Sequence, residues 1–280
     1  MIVAGIVLYD PDKNILMQNI EAIESQVSLI ILIDNASSIS LSWLDDYVKG
    51  KKIEIIKNVS NMGIAYALNQ IMKLGNKMGA DWVLTLDQDS VCPKNLIESY
   101  SYYLTLPMVA ILSPVIKDRN NEKEKTQIKN EIVEIERCIT SASLNKISVW
   151  KKIGGFNEML FIDYVDFEYC CRVRENGYKI YRVNNVVLLH RLGIMETKKI
   201  GKKIIHVTNH NTKRRYYYAR NACYCHKWHK AEYPFTQLIY HLGSLILKIL
   251  LYENDKINKL KEVYMGIRDS RDIKDSKINL

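Results

Sequence analysis

The residues best suited to chemistry in this 280-residue chain are carboxylates gathered at two places. In WVLTLDQDS, Trp82 to Ser90, a mostly apolar run ends on Asp87 and Asp89, two acids one residue apart. Burying an unpaired carboxylate is costly, so such a pair belongs where water, a cation or a partner reaches it. An Asp-x-Asp on an exposed turn can hold a hard divalent cation, Mg²⁺ or Mn²⁺, through oxygen ligands. Two carboxylates make an incomplete cage. Mg²⁺ completes its shell with water and phosphate oxygens, so the pair implies a phosphorylated ligand and a diphosphate leaving group. The same spacing also suits a solvated turn whose Asp caps a helix starting near Pro93. The second group is Asp163, Asp166 and Glu168 in FIDYVDFEYCCRVRENGYKI. On a helix beginning near Val165, Asp166 falls in the first turn, where the dipole favours the ionised form and the carboxylate can take a proton from a hydroxyl nucleophile. Helix capping by Asp163 or Asp166 is the plainer reading of this group.

The elements that must carry these acids alternate in type. IVAGIVLY, a helical pattern from Lys13 to Gln26, SLIILID, KIEIIKN, a helix from Gly63 to about Met78, and WVLTLD follow one another. That βαβαβ rhythm predicts an α/β fold with a mostly parallel sheet flanked by helices. Ligands of such sheets bind outside the carboxyl ends of the strands. Three strand ends are polar there: Tyr9-Asp10, Asp34-Asn35, and Asp87 with Asp89. A charged stretch from Lys117 to about Lys129 separates a first half, 1–116, from a second, 117–194. The second half holds an alternating strand pattern, EIVEIERCITSASL, a helix start near Lys146, a helix from Val165 to Glu175 stopped by Gly177, and two strand-like runs. From 195 to 280 a basic, Tyr-rich, helical extension is expected, containing the apolar run FTQLIYHLGSLILKILLY from Phe235 to Tyr252. His241 and Lys248 interrupt that run, which fits a helix lying on a bilayer or packed on the core better than one crossing a membrane.

Composition narrows the function classes. With 48% hydrophobic and 25% charged residues the chain is neither disordered nor fibrous. Its apolar start has no basic lead-in and meets Asp10 and Pro11 at once, so it reads as a first strand rather than an export signal. Six cysteines without a regular framework are expected as reduced thiols in a cytoplasmic protein. CYCHKWH, Cys223 to His229, has the spacing of no standard zinc finger. The net charge of +9 suits a polyanionic partner: nucleic acid, an anionic membrane surface or a phosphorylated substrate. Lys198, Lys199, Lys202, Lys203, Lys213, Arg214 and Arg215 read as a solvated face which, beside the apolar run, favours contact with a membrane.

Together, Tyr9-Asp10-Pro11, IDNASS, NMGIAYALNQ, LDQDS, ITSAS, GGFNEMLFIDYVDFEYCCRVRENGYKI, LLHRLG, RRYYYARN and MGIRDS resemble, from end to end, bacterial glycosyltransferase family 2 and its rhamnosyltransferase-like branch. The resemblance implies a GT-A, Rossmann-like catalytic domain over 1–194 and inverting transfer from a nucleoside diphosphate sugar, dTDP-rhamnose first, with UDP-hexose or UDP-galactofuranose as alternative donors. It implies that Asp34 reads a pyrimidine base, with Tyr9, Asn61, Gly63 and Asp87 lining the nucleotide pocket. Asp89, Asp87 and His190 would serve a Mg²⁺ or Mn²⁺ ion, and Asp166 would be the catalytic base, supported by Asp163, Glu168 and Arg172. Arg191, Arg220 and Ser141 would meet the diphosphate or the acceptor. The expected acceptor is a saccharide, lipid-linked, in O-antigen or capsule synthesis at the inner face of the cytoplasmic membrane. Relatives often carry Asn where this chain has Asp10 and Gly where it has Ala142. The rival reading from another class is a basic nucleic-acid-binding protein, for which no helix-turn-helix, zinc-finger or RNA-recognition signature is present.

Overall fold

The computed structural model describes residues 1–118, 130–190, 196–200 and 203–273. The first half begins with β1 (Ile2–Leu8), α1 (Lys13–Glu24), β2 (Ile30–Asp34), α2 (Ser42–Tyr47), β3 (Ile53–Lys57), α3 (Ile64–Lys77) and β4 (Trp82–Asp87). β1, β2 and β4 are nearly continuous apolar runs because helices cover both faces of the sheet. α1 starts where Asp12 accepts a hydrogen bond from the Ile15 amide, and it buries Leu16, Ile20 and Ile23 along one stripe. α4 (Leu96–Ser101), β5 (Val109–Asp118), β6 (Ile132–Ile135), β7 (Ser143–Lys146), α5 (Ile147–Ile153), α6 (Val165–Glu175) and β8 (Lys179–His190) follow.

Eight strands form one sheet in the order β3-β2-β1-β4-β7-β5-β8-β6. β3, β2, β1 and β4 are mutually parallel, and β5 and β8 run the same way, while β7 and β6 are antiparallel to their neighbours. The carboxyl ends of β1, β2, β4, β5 and β8 therefore share one edge. The sheet is more mixed than the sequence predicts, because the residues after β6 reach β7 without a crossover helix. β7 then fills the place between β4 and β5 by running backwards. The two strand-like runs expected after Gly177 are one strand, β8, broken by a bulge. Pro114 pairs with Val183 and Val115 with Val187, so residues 184–186 have no partner on β5. Pro114 has no amide to donate to that ladder, and buried Asn184 instead donates to the Asn130 carbonyl at 2.7 Å.

The expected all-helical extension opens with a hairpin, β9 (Glu196–Ile200) and β10 (Lys203–Val207), which carries Lys198, Lys199 and Lys203 on strands; Lys202 lies outside the described residues. Then come α7 (Thr212–Trp228), α8 (Phe235–Tyr252) and α9 (Lys256–Asp269). Part of the basic run is not a solvated face. Arg215 and Lys259 are both buried on the carboxylate of buried Glu253. α7 joins the core: Ala219, Ala222, Tyr224 and Cys225 are buried in the cluster that holds Val165 and Tyr169 of α6 and Ile71 of α3. A second cluster, with Leu16, Leu44 and Leu96, packs the other face of the sheet.

Candidate active site

Register places the strand-end residues together. Leu8 pairs with Asp34 and Val7 with Asp87, so Tyr9, Asp34 and Asp87 stand side by side at the carboxyl edge, where the strand order turns from β1 to β4. Gln88, between the two aspartates, clamps the neighbouring strand end. Its Oε1 accepts from the Tyr9 amide at 2.8 Å and its Nε2 donates to the Tyr9 carbonyl at 3.0 Å. Asp34 accepts from the Ser37 amide at 2.9 Å. Asp10 sits at a φ of 48° and ties down the same loop, accepting from the Ser38 amide and hydroxyl and from the Ile39 amide. The Ser38 hydrogen bond leads the causes that lower its pKa. Ala142, at φ 55°, is the other position where the sequence departs from the family pattern. Left-handed backbone is cheapest for Gly and Asn, the residue types that the resemblance led one to expect at these two positions.

Buried Asn35 is the hinge pin of the next loop. Its Nδ2 donates to Asn61 Oδ1 at 3.0 Å and its Oδ1 accepts from Asn58 Nδ2 and the Met62 amide, each at 3.1 Å. Asn61 also accepts from the Gly63 amide at 3.0 Å. Gly63 precedes α3 at φ 84°, and an added Cβ would lie 2.6 Å from the Phe161 carbonyl. That contact lets the Ile64 amide donate to Phe161 O at 2.8 Å, bringing the chain before α6 against the start of α3.

Asp89 occupies the turn after β4, half-buried, with no side-chain hydrogen bond or ion pair among the described residues. Neither it nor Asp87 caps α4, whose N-cap is Asn95 and has no side-chain cap. Nor does Asp163 cap α6. That helix begins after two left-handed residues, Asp163 at φ 63° and Tyr164 at φ 66°, without a side-chain cap. Asp163 is instead gripped by Arg214 of α7, which donates through Nε at 3.1 Å and Nη2 at 3.0 Å. Buried Asn221 of α7 donates to the carbonyls of Ile162 and Asp163 at 2.8 and 2.9 Å, fixing the same two-residue bend.

Asp166, in the first turn of α6, is half-buried and accepts from the Phe167 amide at 2.8 Å. Burial, with the charges of Asp87 and Asp163 adding to it, pushes its pKa up to about 6. Among the cavities it lines are one of about 200 Å³ with Ile64, Thr140, Asp163 and Arg214, and one of about 460 Å³ with Pro114, Arg137, Phe167 and Arg182. A carboxylate so placed can meet a donor from one side and an acceptor from the other.

The remaining expected site residues divide. Glu168, 1% exposed, uses both oxygens on Arg172 at 2.7 Å and lies 3.5 Å from His229. Despite its burial, Arg172 and His229 hold its pKa below the usual range. This pair anchors α6. Arg220 is held by the Met159 carbonyl and by the rings of Tyr216 and Tyr217. Ser141 is fully buried with its hydroxyl unpartnered among the described residues, and Thr140 lines the cavity in its place. His190 is described only as the last residue of β8, and Arg191 lies outside the described residues. Sequence reading missed the roles of Gln88, Asn35 and Arg214. The first two sit inside LDQDS and IDNAS, but Arg214 lies 51 residues from its partner in a run that resembles a solvated face. Arg172, Arg174, Arg214 and Arg215 each pair with a carboxylate, leaving that much less charge for a nucleic-acid backbone.

The chain is 29% identical over 236 residues to the dTDP-rhamnosyl transferase RfbF of Shigella flexneri, covering 79% of this chain and 78% of that one. GalNAc-T7, solved with UDP, GalNAc and Mn²⁺, superposes with a TM-score of 0.63 at 14% identity over 97% of this chain, which spans 56% of that structure. The mannosyltransferase PcManGT of Pyrobaculum calidifontis, solved with GDP-Man and Mn²⁺, gives 0.59 at 14% identity over 99% of this chain and 76% of the other. At such identities these structures speak for the GT-A fold alone. The family model Glycosyl transferase family 2 matches residues 6–165, more than half of the sequence, and the chain belongs to that family.

Proposed function

We propose that the chain transfers L-rhamnose from dTDP-L-rhamnose, with inversion, to a hydroxyl of a lipid-linked saccharide in the synthesis of a bacterial surface polysaccharide, at the inner face of the cytoplasmic membrane. The observation that carries the transfer reading is Asp166, half-buried between two cavities with its pKa near 6 and electrostatically linked to Asp87. The donor is favoured by the likeness to RfbF, since the fold itself does not choose a sugar nucleotide.

Asp34, beside Tyr9 and Asn61, is suited to reading the base. Asp87 and Asp89 fit a divalent cation, Mg²⁺ or Mn²⁺. They flank one turn, Asp89 has no protein partner among the described residues, and no group of three or more His, Cys, Asp or Glu ligands forms among those residues. Such a partial donor set suits an ion that takes its other ligands from water and the donor diphosphate. When bound, the ion offsets the charge that builds on the departing diphosphate. Asp166 takes the proton of the acceptor hydroxyl as that oxygen attacks the anomeric carbon opposite the nucleotide. The bond to the diphosphate breaks in the same displacement, which inverts the centre. Arg214 holds both oxygens of Asp163 in an ion pair, leaving Asp166 as the carboxylate of the two open to the acceptor hydroxyl.

The test is Asp166→Asn. Release of dTDP from dTDP-rhamnose should fall by a factor of about 10² or more, while the sugar nucleotide still raises the melting temperature. Release at the wild-type rate would remove Asp166 from the reaction.

A further inference from the structure

Helix α8 is apolar on two sides, and only one is covered. Leu238, Leu242, Leu245 and Ile249 form an inner stripe within the core cluster that includes Ala219 and Ala222 of α7. The opposite arc carries Phe235, Ile239, Tyr240, Leu247, Leu250 and Leu251, between 44% and 72% exposed, with no charged residue among them. Over 18 residues this arc runs about 27 Å, a long apolar surface to leave in water. By length and composition alone α8 could cross a membrane. Its inner stripe instead holds it lengthwise against the body. α9, which packs against α8, adds exposed Ile257 and Tyr264 with exposed Lys261 between them.

Beside the arc, a polar cavity of about 370 Å³ opens between α7 and α8, lined by Thr208, His210, Tyr218, His241, Ser244 and Lys248. Its other ionic groups are satisfied: Arg215 by Glu253 and Asp163 by Arg214. Lys248 makes no ion pair or hydrogen bond among the described residues. Burial and the charges of Arg214 and Arg215 push His210 down to about 4, so it faces the cavity as a neutral donor. One uncompensated cation and several neutral polar groups thus border a charge-free apolar face. A two-fold pairing of chains would set that face against itself, and it holds no acid to meet Lys248.

We propose that α8 lies on an anionic phospholipid surface, its outer arc among the acyl chains and a lipid phosphate in the cavity at Lys248. Asp163 lines both this cavity and the smaller one at Asp166, so the headgroup plane lies next to the proton-accepting carboxylate. The inference rests on the membrane location in the proposed function, to which it gives a surface and a headgroup site, and it stands whichever donor is used.

Co-sedimentation of the full chain with phosphatidylglycerol-containing vesicles, and with phosphatidylcholine vesicles, tests it. Wild type should bind the anionic vesicles more tightly. Leu247→Glu combined with Leu251→Glu should weaken binding at least tenfold, and Lys248→Gln about fivefold, as expected for roughly 1 kcal/mol per basic residue at such a surface. Both variants change solvent-exposed or cavity positions and should melt as wild type does. Equal binding by wild type and the double variant, or no binding by either, would overturn the membrane face. Unchanged binding by Lys248→Gln would overturn the phosphate site. A dimer in sedimentation velocity that the double variant dissociates, without vesicle binding, would give the face to a second copy. Stabilisation by dTDP-rhamnose, measured on the same samples, reads the transfer proposal separately.

Discussion

At the scale of single residues, two acids three apart have opposite tasks because of what surrounds them. Asp163 meets the Arg214 guanidinium, whereas Asp166 is half-buried near like charges and its pKa rises. A base must be ionised to work, so kcat/KM should fall as pH drops through about 6 and level off above it. Removing the Asp163 charge removes one cause of the shift, so Asp163→Asn should move that limb to lower pH. A pH–rate profile checks both, and a limb unmoved from the ordinary carboxylate range would contradict the assignment. The acids were legible in the sequence because paired charges at an apolar strand end are conspicuous. Their partners were not: Arg214 and Asn221 reach Asp163 from more than 50 residues away, and only the packing of α7 on α6 brings them there.

At the scale of elements, α6 is the piece whose placement matters most. Its limits, Val165–Glu175, are those the sequence predicts, since Gly177 at φ 76° ends it and the following residues are β-formers. Its length is fixed by Glu168, Arg172, Glu175 and His229, and its start by the bend at Asp163 and Tyr164 against α3 and α7. Gly63→Ala would push a methyl group into the Phe161 backbone at a left-handed φ. It should destabilise the fold by about 1–3 kcal/mol and weaken nucleotide binding, read by denaturant unfolding and by titration with dTDP. Unchanged stability and affinity would show that the α3–α6 contact positions nothing. His229 provides a pH test of the other anchor. Burial disfavours its charged form, but Glu168 at 3.5 Å and Glu175 at 2.8 Å outweigh that and raise its pKa above 6.5. Its contribution to stability is full below pH 6.5 and is lost as pH rises through the folded value. Wild type should therefore lose more melting temperature than His229→Gln between pH 6 and pH 8.5, and equal losses would contradict the ion-pair role.

At the scale of the whole molecule, the parallel half could be read from the sequence and the rest only in part. Continuous apolar strands alternating with amphipathic helices leave few arrangements for β1 to β4. The antiparallel insertion of β7, the bulge in β8 and the hairpin of β9 and β10 depend on pairings between distant segments, and no local pattern encodes those. Likewise Lys213, Arg214 and Arg215 at the start of α7 read as a solvated face, while the cysteines further along the helix read as packing thiols. Its alanines and cysteines, spaced among tyrosines, are what pack it into the core, while Arg215 disappears into a buried ion pair with Glu253. The central claim is that the carboxyl edge of this sheet binds a sugar nucleotide through Asp34, Asp87 and Asp89 for reaction at Asp166. The most direct test is thermal unfolding with dTDP-, UDP- and GDP-sugars, with and without Mn²⁺. With metal present, dTDP-rhamnose at about 100 times its Kd should add about 2.7 kcal/mol, a rise of roughly 5–10 °C, lost in Asp89→Ala and kept in Asp166→Asn. No shift with any of these nucleotides, in folded protein with metal present, would contradict the account.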